Sequence, residues 1–288
     1  MAQQWEDVVG TVRSWIAVNS TFSAASEWIA ANWNAKAMMI SAAVATSGLA
    51  VIGFHYLLKS DIAHRFEAAA IGQIMAEYNR RMVARKRQLF GDLESLKHAR
   101  GDGRLAILEI GSGNGTNFAY YPVGSDVICV EPNEHFKATL YDNARQYPGV
   151  QISAYHVAPA EKTRDHVESA SVDAVVSSVV FCTVSDPDQC IQEIIRVLKP
   201  GGKFFFMEHV KAPPQFYVVR CLQILVNPVW GIIYGGCHLT RRTLETIRKA
   251  GFRCVNAEEF EAHELTQPPG VIYGGRLIRS HLSGTATK

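Results

Sequence analysis

Two apolar patterns alternate along most of this chain. Short, nearly unbroken apolar runs predict strands at 105–110, 126–131, 150–156, 173–180 and 203–209. Between and after them, helical spacing predicts helices at 115–121, 134–146, 187–198 and 240–250. Two further runs, near 252–260 and 271–279, read as strands that close the sheet. Unbroken apolar strands alternating with helices indicate an α/β domain, a doubly wound sheet with helices on both faces.

Upstream of that core the pattern changes. From Ala70 to Arg100, Tyr78, Met82, Arg85, Lys86, Leu89 and Phe90 recur at helical spacing in a charged stretch. This predicts an amphipathic helix packing on the domain, ended by Gly101-Asp102-Gly103. Ala37 to Leu58 is a 22-residue run without Asp, Glu, Lys or Arg. As a helix it would span about 33 Å, against a bilayer core of about 30 Å, so it reads as a membrane anchor. Before it, Trp5, Val8, Val9, Val12, Trp15 and Ile16 share one helical face, and Trp28 and Trp33 continue the apolar character. Tryptophan favours the headgroup layer, so residues 1–36 read as a surface-lying segment supporting the anchor. The resulting organisation is 1–36 amphipathic, 37–58 anchor, 59–103 charged linker and amphipathic helix, and 104–288 catalytic domain. Residues 59–87 hold seven basic side chains and residues 1–36 hold two. That bias places the larger domain on the cytosolic side. Asn19-Ser20-Thr21 would then be a glycosylation sequon on the opposite side.

The first predicted strand runs into Glu109-Ile110-Gly111-Ser112-Gly113-Asn114-Gly115. Glycines at alternate positions after a buried strand allow a ligand to press against bare backbone. The second strand ends in Glu131, 20 residues after Gly111. A carboxylate there can take both hydroxyls of a ribose, so the pair indicates a nucleoside cofactor. The spacing is not the dinucleotide G-x-G-x-x-G, and no P-loop lysine follows.

This alternate-glycine form resembles motif I of the class I S-adenosylmethionine-dependent methyltransferases, and Arg196-Val-Leu-Lys-Pro-Gly-Gly-Lys-Phe-Phe-Phe206 resembles their helix-turn-strand. More narrowly, Glu109 to Phe118, Tyr121-Pro122, Val130 to Phe136, Val157-Ala-Pro-Ala-Glu161, Phe206-Met-Glu-His-Val210 and Gly236-Cys-His-Leu-Thr-Arg241 resemble the membrane-anchored thiol S-methyltransferases of the methyltransferase-like-seven group. The likeness runs from about Tyr78 to the C-terminus. It implies a class I Rossmann-like sheet with an antiparallel last strand. It also implies S-adenosylmethionine as cofactor, small lipophilic thiols as substrates, and residence at the endoplasmic reticulum and lipid droplets. Carried onto this chain, the cofactor-binding positions are Glu109, Gly111, Ser112, Gly113, Gly115, Glu131, Pro132, Asn133, Ala160 and Glu161. Many relatives carry an aspartate just before that alanine; here the position is Pro159.

Composition adds limits. A formal net charge of +2, with no basic stripe interleaved with aromatics, gives no reason to propose nucleic acid as a partner. The six cysteines form no C-x-x-C pair and read as reduced residues, with no metal cluster expected. Methyl transfer is an in-line displacement that requires close, aligned reactants. An alkyl thiol near pKa ~8.5 is already partly ionised, so a strong base is not obligatory. His209 and His238 are the candidate bases, with Glu208 beside the first. Phe118, Tyr120 and Tyr121 could offer a ring to the sulfonium, and Tyr78 and Met82 could touch ligand. Phe216 to Tyr234 is read as part of the acceptor pocket or a membrane contact, and Cys182 as a small buried residue. The enzyme alternative is a quinone, phenol or lipid methyltransferase of the same fold. The non-enzyme alternative is a lipid-droplet or membrane organising protein.

Overall fold

The computed structural model describes residues 60–101, 103–266 and 275–288. The Trp-rich segment, the 37–58 anchor and the Asn19 sequon lie outside these residues. The chain divides into two compact units, Met1–Ala63 and His64–Lys288, and the fold below is that of the second.

Seven strands form one sheet in the order β3-β2-β1-β4-β5-β7-β6. They are β1 (Leu105–Ile110), β2 (Ser125–Val130), β3 (Val150–His156), β4 (Val172–Ser178), β5 (Leu198–His209), β6 (Cys254–Glu261) and β7 (Ser280–Thr287). All pairings among β1 to β5 are parallel, and β7 runs antiparallel to both β5 and β6. The apolar runs bury as expected: every residue of β4 is buried, and Phe204, Phe205 and Phe206 of β5 are inaccessible. Successive side chains point to opposite faces, so Phe204 and Phe206 pack in one core layer and Phe205 in the other.

Helices α1 (Asp61–Arg81), α2 (Val83–Phe90) and α3 (Asp92–Arg100) replace the single amphipathic helix expected from the sequence. Tyr78, Met82, Leu89, Phe90, Leu93 and Leu96 bury one stripe of them against β1, β2 and β5. Gly101, at φ +79°, ends α3 in the left-handed conformation. On the other face lie α5 (Pro187–Val197) and α7 (Thr243–Lys249), with Ile191, Ile194, Val197, Leu244 and Ile247 buried. Helix α4 (Lys137–Ala144) follows β2, and α6 (Tyr217–Ile233) follows β5.

Two sequence expectations are corrected. The helix expected at 115–121 is a single 3₁₀ turn, Phe118–Tyr120. Pro122 forces Tyr121 into an extended conformation (φ −82°, ψ 139°), and the chain must re-enter the sheet at Ser125, leaving no room for an α-helix. The last strand is Ser280–Thr287, not 271–279. Its sequence, SHLSGTAT, reads as a polar tail, yet it is held on both sides by β5 and β6. Residues 271–274 lie outside the described part.

His281 explains why a polar strand is stable there. It is fully buried, donates from Nδ1 to the Arg279 carbonyl (3.1 Å) and accepts the Tyr78 hydroxyl at Nε2 (3.0 Å). Its ring stacks on Tyr78, tying α1 to β7. Burial, with His209 and Arg85 nearby, pushes its pKa down to about 3, so it stays neutral. An unfolded histidine protonates near ~6.5. The folded state therefore binds fewer protons between these values. The contribution is complete above ~6.5 and is lost as pH falls toward 3. We expect wild-type stability, measured by chemical denaturation, to fall roughly 2–3 kcal/mol more between pH 7 and pH 4.5 than that of His281→Phe. A difference between the two proteins that does not vary with pH would contradict a neutral buried His281.

Candidate functional site

The strand order reverses between β1 and β4, and the loops leaving these strands part to opposite faces. A cavity of about 440 Å³ opens at that point. Its floor is the glycine loop. Gly111 and Gly113 have positive φ (59° and 50°), and Gly111 donates its amide to the Val130 carbonyl (2.8 Å). A Cβ on Gly111 would come within 2.4 Å of Val180, whereas one on Gly113 would meet nothing within 4 Å. The first glycine is thus required by the protein's own packing. The second keeps the space above it open for a ligand.

Glu131 stands beside the loop, buried, with Oε2 accepting the Gly113 amide (2.9 Å) and Oε1 accepting the Asn133 amide (3.0 Å). Burial raises its pKa and the two amides oppose the rise. Each oxygen keeps a second lone pair, which is the acceptor pattern a vicinal diol requires.

The opposite wall comes from the loop after β4. Val179 has φ 60°, a conformation rare for a β-branched residue and costing on the order of 1–3 kcal/mol. Glu208, fully buried at the end of β5, secures that loop by accepting the Ser177 hydroxyl (2.6 Å) and the amides of Val180 (2.8 Å) and Phe181 (3.0 Å). Burial pushes Glu208 up to about 7, against these donors. Glu161 plays a similar part, accepting the Ser185 and Asp186 amides at 2.5 and 3.0 Å.

A third element was not anticipated. Lys86, on the buried stripe of α2, reaches the cavity and donates to Asn79 and to Asn117 (2.7 Å); Asn117 in turn donates to Glu109 (2.7 Å). Burial lowers Lys86 to about 7 and raises Glu109 to about 7. Its sequence signal is a lysine recurring at helical spacing with Tyr78, Met82, Leu89 and Phe90, a pattern shared by any amphipathic face.

Of the ten positions expected to hold cofactor, Gly111, Ser112, Gly113, Glu131, Pro132, Asn133, Ala160 and Glu161 line this one cavity. Glu109 and Gly115 do not. Glu109 lies beneath the loop, and Gly115 sits on the Phe118 ring. Phe118 and Tyr121 are core residues packed with each other, and Tyr120 packs against Phe90; none of the three lines the cavity. Tyr78 and Met82 are likewise in the core and do not line the cavity. Neither expected base reaches the cavity. His238 is exposed beside Asn227. His209 is buried, its Nε2 3.1 Å from the Cys237 sulfur. The titratable groups from α1 that line the cavity are instead His64 and Glu67.

The cysteines do not stay dispersed. Cys182, His209 and Cys237 bring their ligand atoms within 4.8 Å of one another, and all three are buried. The Cys182 thiol, His209 and the Trp230 indole pull the Cys237 pKa down, while Cys182 is pushed up by its sulfur neighbour and by burial. The three residues are far apart in sequence, so no ligand spacing betrayed them.

A larger cavity, about 660 Å³, lies away from the glycine loop and includes Lys211, Phe216, Arg220, Arg241, Arg242 and His281. It contains neither the glycines nor Glu131, so the switch-point cavity is the functional candidate.

Comparison with known proteins gives the family. Residues 108–206 match a family model described as a methyltransferase domain. The chain is 34% identical to human thiol S-methyltransferase TMT1A over 73% of its own length and 81% of the relative's. It is 36% identical to human thiol S-methyltransferase TMT1B, over 73% and 81% respectively. Among solved structures, the partner of the Haloferax volcanii Trm112 methyltransferase activator superposes with a TM-score of 0.53 at 17% identity, over 78% of this chain and 96% of that one.

Glu131→Ala should weaken binding of S-adenosylmethionine by roughly 1–3 kcal/mol, the scale of losing charge-assisted hydrogen bonds. Calorimetry on the purified chain measures this, and unchanged affinity would remove Glu131 from the site.

Proposed function

The chain belongs to the thiol S-methyltransferase family of S-adenosylmethionine-dependent methyltransferases, and from that premise we propose that it methylates small lipophilic thiols at a membrane surface. The observation that carries the reading is the switch-point cavity, with its open glycine and buried carboxylate, in a chain related to thiol methyltransferases along three quarters of its length. When bound, S-adenosylmethionine supplies an electrophilic methyl group on a sulfonium. The cavity fits it by chemistry: the space above Gly113 admits a ligand against bare backbone, and Glu131 offers two oxygens for hydroxyl groups. Ala160 and Glu161 border the same cavity on its far side. Lys86 presents a buried ammonium whose two assigned protons go to Asn79 and Asn117, leaving one for an anionic group such as a carboxylate.

A thiol acceptor is consistent with the site's lack of a strong base from β5, since Glu208 is committed to the loop after β4 and His209 faces sulfur. A phenol or a ring carbon would need more help than a thiol with a pKa near ~8.5. With labelled donor, alkyl thiols should turn over at least tenfold faster than phenols and quinols of similar size. Faster turnover of phenols or quinols would favour the alternative methyltransferase reading.

The membrane part of the reading is supported by α6. This helix is inverted: its one buried residue is Gln223, while Tyr217, Val218, Leu222, Ile224, Leu225, Val229, Ile232 and Ile233 are exposed. Gln223 pins the helix by accepting the Ala212 amide (2.8 Å) and donating to the Leu277 carbonyl (2.8 Å). Pro214–Ile233 has a mean hydropathy of 1.5 in its most apolar window and is only 6% buried there. From Val210 to Leu244 there is no acidic residue, and Lys211, Arg220, Arg241 and Arg242 lie along it. An exposed apolar face with basic neighbours suits an anionic bilayer surface. In this reading α6 rests on the bilayer to which residues 37–58 anchor the chain, as at the endoplasmic reticulum or a lipid droplet, with the catalytic domain in the cytosol. Leu225→Glu combined with Ile232→Glu should raise KM about tenfold for bilayer-partitioned thiols and leave it unchanged for water-soluble ones, assayed in liposomes. Equal effects on both classes would detach α6 from membrane binding. Carbonate extraction that strips the full chain from membranes would refute the anchor.

A further inference from the structure

Cys182 sits on the loop after β4, His209 ends β5, and Cys237 follows α6. Their sulfurs and Nε2 converge within 4.8 Å, and the side chains are 2%, 2% and 8% exposed. The convergence is built into the backbone. The His238 amide donates to the Cys182 carbonyl (2.8 Å), fastening one cysteine segment to the other without a covalent bond. The Trp230 indole donates to the Cys237 sulfur (3.3 Å), and its ring stacks on Tyr234 at 4.1 Å. Glu208, next to His209, holds the Cys182 loop by two amides.

Two thiols and an imidazole facing one point are a soft donor set. Tetrahedral zinc, with Zn–S about 2.3 Å and Zn–N about 2.0–2.1 Å, places its ligand atoms roughly 3.5–3.8 Å apart, a spacing that small side-chain adjustments reach from here. Two thiolates and a neutral imidazole on a divalent cation carry no net charge, which suits a buried site. The indole N–H on Cys237 is the kind of outer hydrogen bond that orients a ligating sulfur. Three protein ligands leave one position of the tetrahedron for a further donor. Val180 and Thr183 lie within two residues of Cys182, and Tyr234 and Gly235 lie just before Cys237; all four line the donor cavity, so the cluster stands behind its wall.

We propose that Cys182, His209 and Cys237 bind one zinc ion, and that its fourth position takes the sulfur of the acceptor thiol. The second half rests on the thiol-methyltransferase reading; the first does not. On binding, the thiol's proton leaves to solvent and its sulfur remains on zinc as a thiolate. That sulfur's lone pair forms the new S–CH₃ bond while the methyl's bond to the donor sulfonium breaks. The released pair stays on the donor sulfur. The product thioether is neutral, a weaker ligand than a thiolate, and departs with zinc unchanged in oxidation state.

The experiment is metal analysis of the full chain, purified under reducing conditions without chelator and then exposed to equimolar zinc. We expect about one zinc per chain in wild type and in Cys254→Ser, which alters an exposed cysteine elsewhere. Less than a tenth of that should remain in Cys182→Ser and Cys237→Ser. Cobalt substitution should give thiolate-to-cobalt charge-transfer absorption in wild type. This readout, together with reversible stripping by dipicolinate, does not depend on whether the serine variants fold. Wild type without zinc, or zinc retained by both serine variants, overturns the site, as does a Cys182–Cys237 disulfide in place of metal. X-ray absorption on the zinc protein should then show two sulfurs becoming three when an alkyl thiol is added. An unchanged sulfur count overturns the acceptor role. Undiminished thiol methylation by the metal-free protein overturns the acceptor role of the zinc and leaves the thiol-methyltransferase reading standing. Zinc-loaded protein that binds S-adenosylmethionine but methylates no thiol instead defeats that reading.

Discussion

The close approach of Gly111 to Val180 is the constraint around which the rest is arranged. The two residues leave adjacent parallel strands, β1 and β4, where the sheet reverses its order. With only 2.4 Å available to a Cβ on Gly111, no other residue fits there without displacing Val180. The Glu208 carboxylate holds the other side of that contact by accepting the Val180 and Phe181 amides, which keeps Val179 in its strained conformation. A carboxylate from β5 thus positions a loop that it does not belong to. The cavity exists because these backbones come together and then part.

A polar skeleton inside an apolar body accompanies this packing. Lys86, Glu109, Glu208 and His281 are all buried, and each is held by specific partners. Lys86 and Glu109 are joined through Asn117, and burial drives both toward their neutral forms, which limits the charge carried into the core. Buried groups of this kind specify one arrangement of α1 and α2 over the sheet, because a shifted helix would strand them without partners. They also place the Lys86 amine at the edge of the donor cavity.

Helix α6 reverses the usual distribution, with glutamine inward and branched aliphatics outward. Its inner contacts are a few directed hydrogen bonds from Gln223, together with Trp230 and Asn227 near the Cys237 loop. An arrangement that depends on directed bonds leaves the apolar face free for an outside partner. It also couples that face to the loop carrying Cys237.

Local patterns made the sheet legible in the sequence. Strands β1 to β5 could be read because a strand buried on both faces must be apolar throughout. The glycine loop and Glu131 could be read because backbone freedom and a carboxylate at a strand tip are short-range requirements. The 3₁₀ turn at Phe118 was written in Pro122 and Gly124, but the helical spacing before them masked it. Strand β7 was not legible, since its serines, threonines and His281 are made acceptable by neighbours on both sides, not by their own polarity. The same holds for Lys86, for Glu208 as a brace, and for Cys182, His209 and Cys237. Each owes its role to atoms brought within a few ångströms from elements as much as 203 residues apart, and only the folded chain decides such distances.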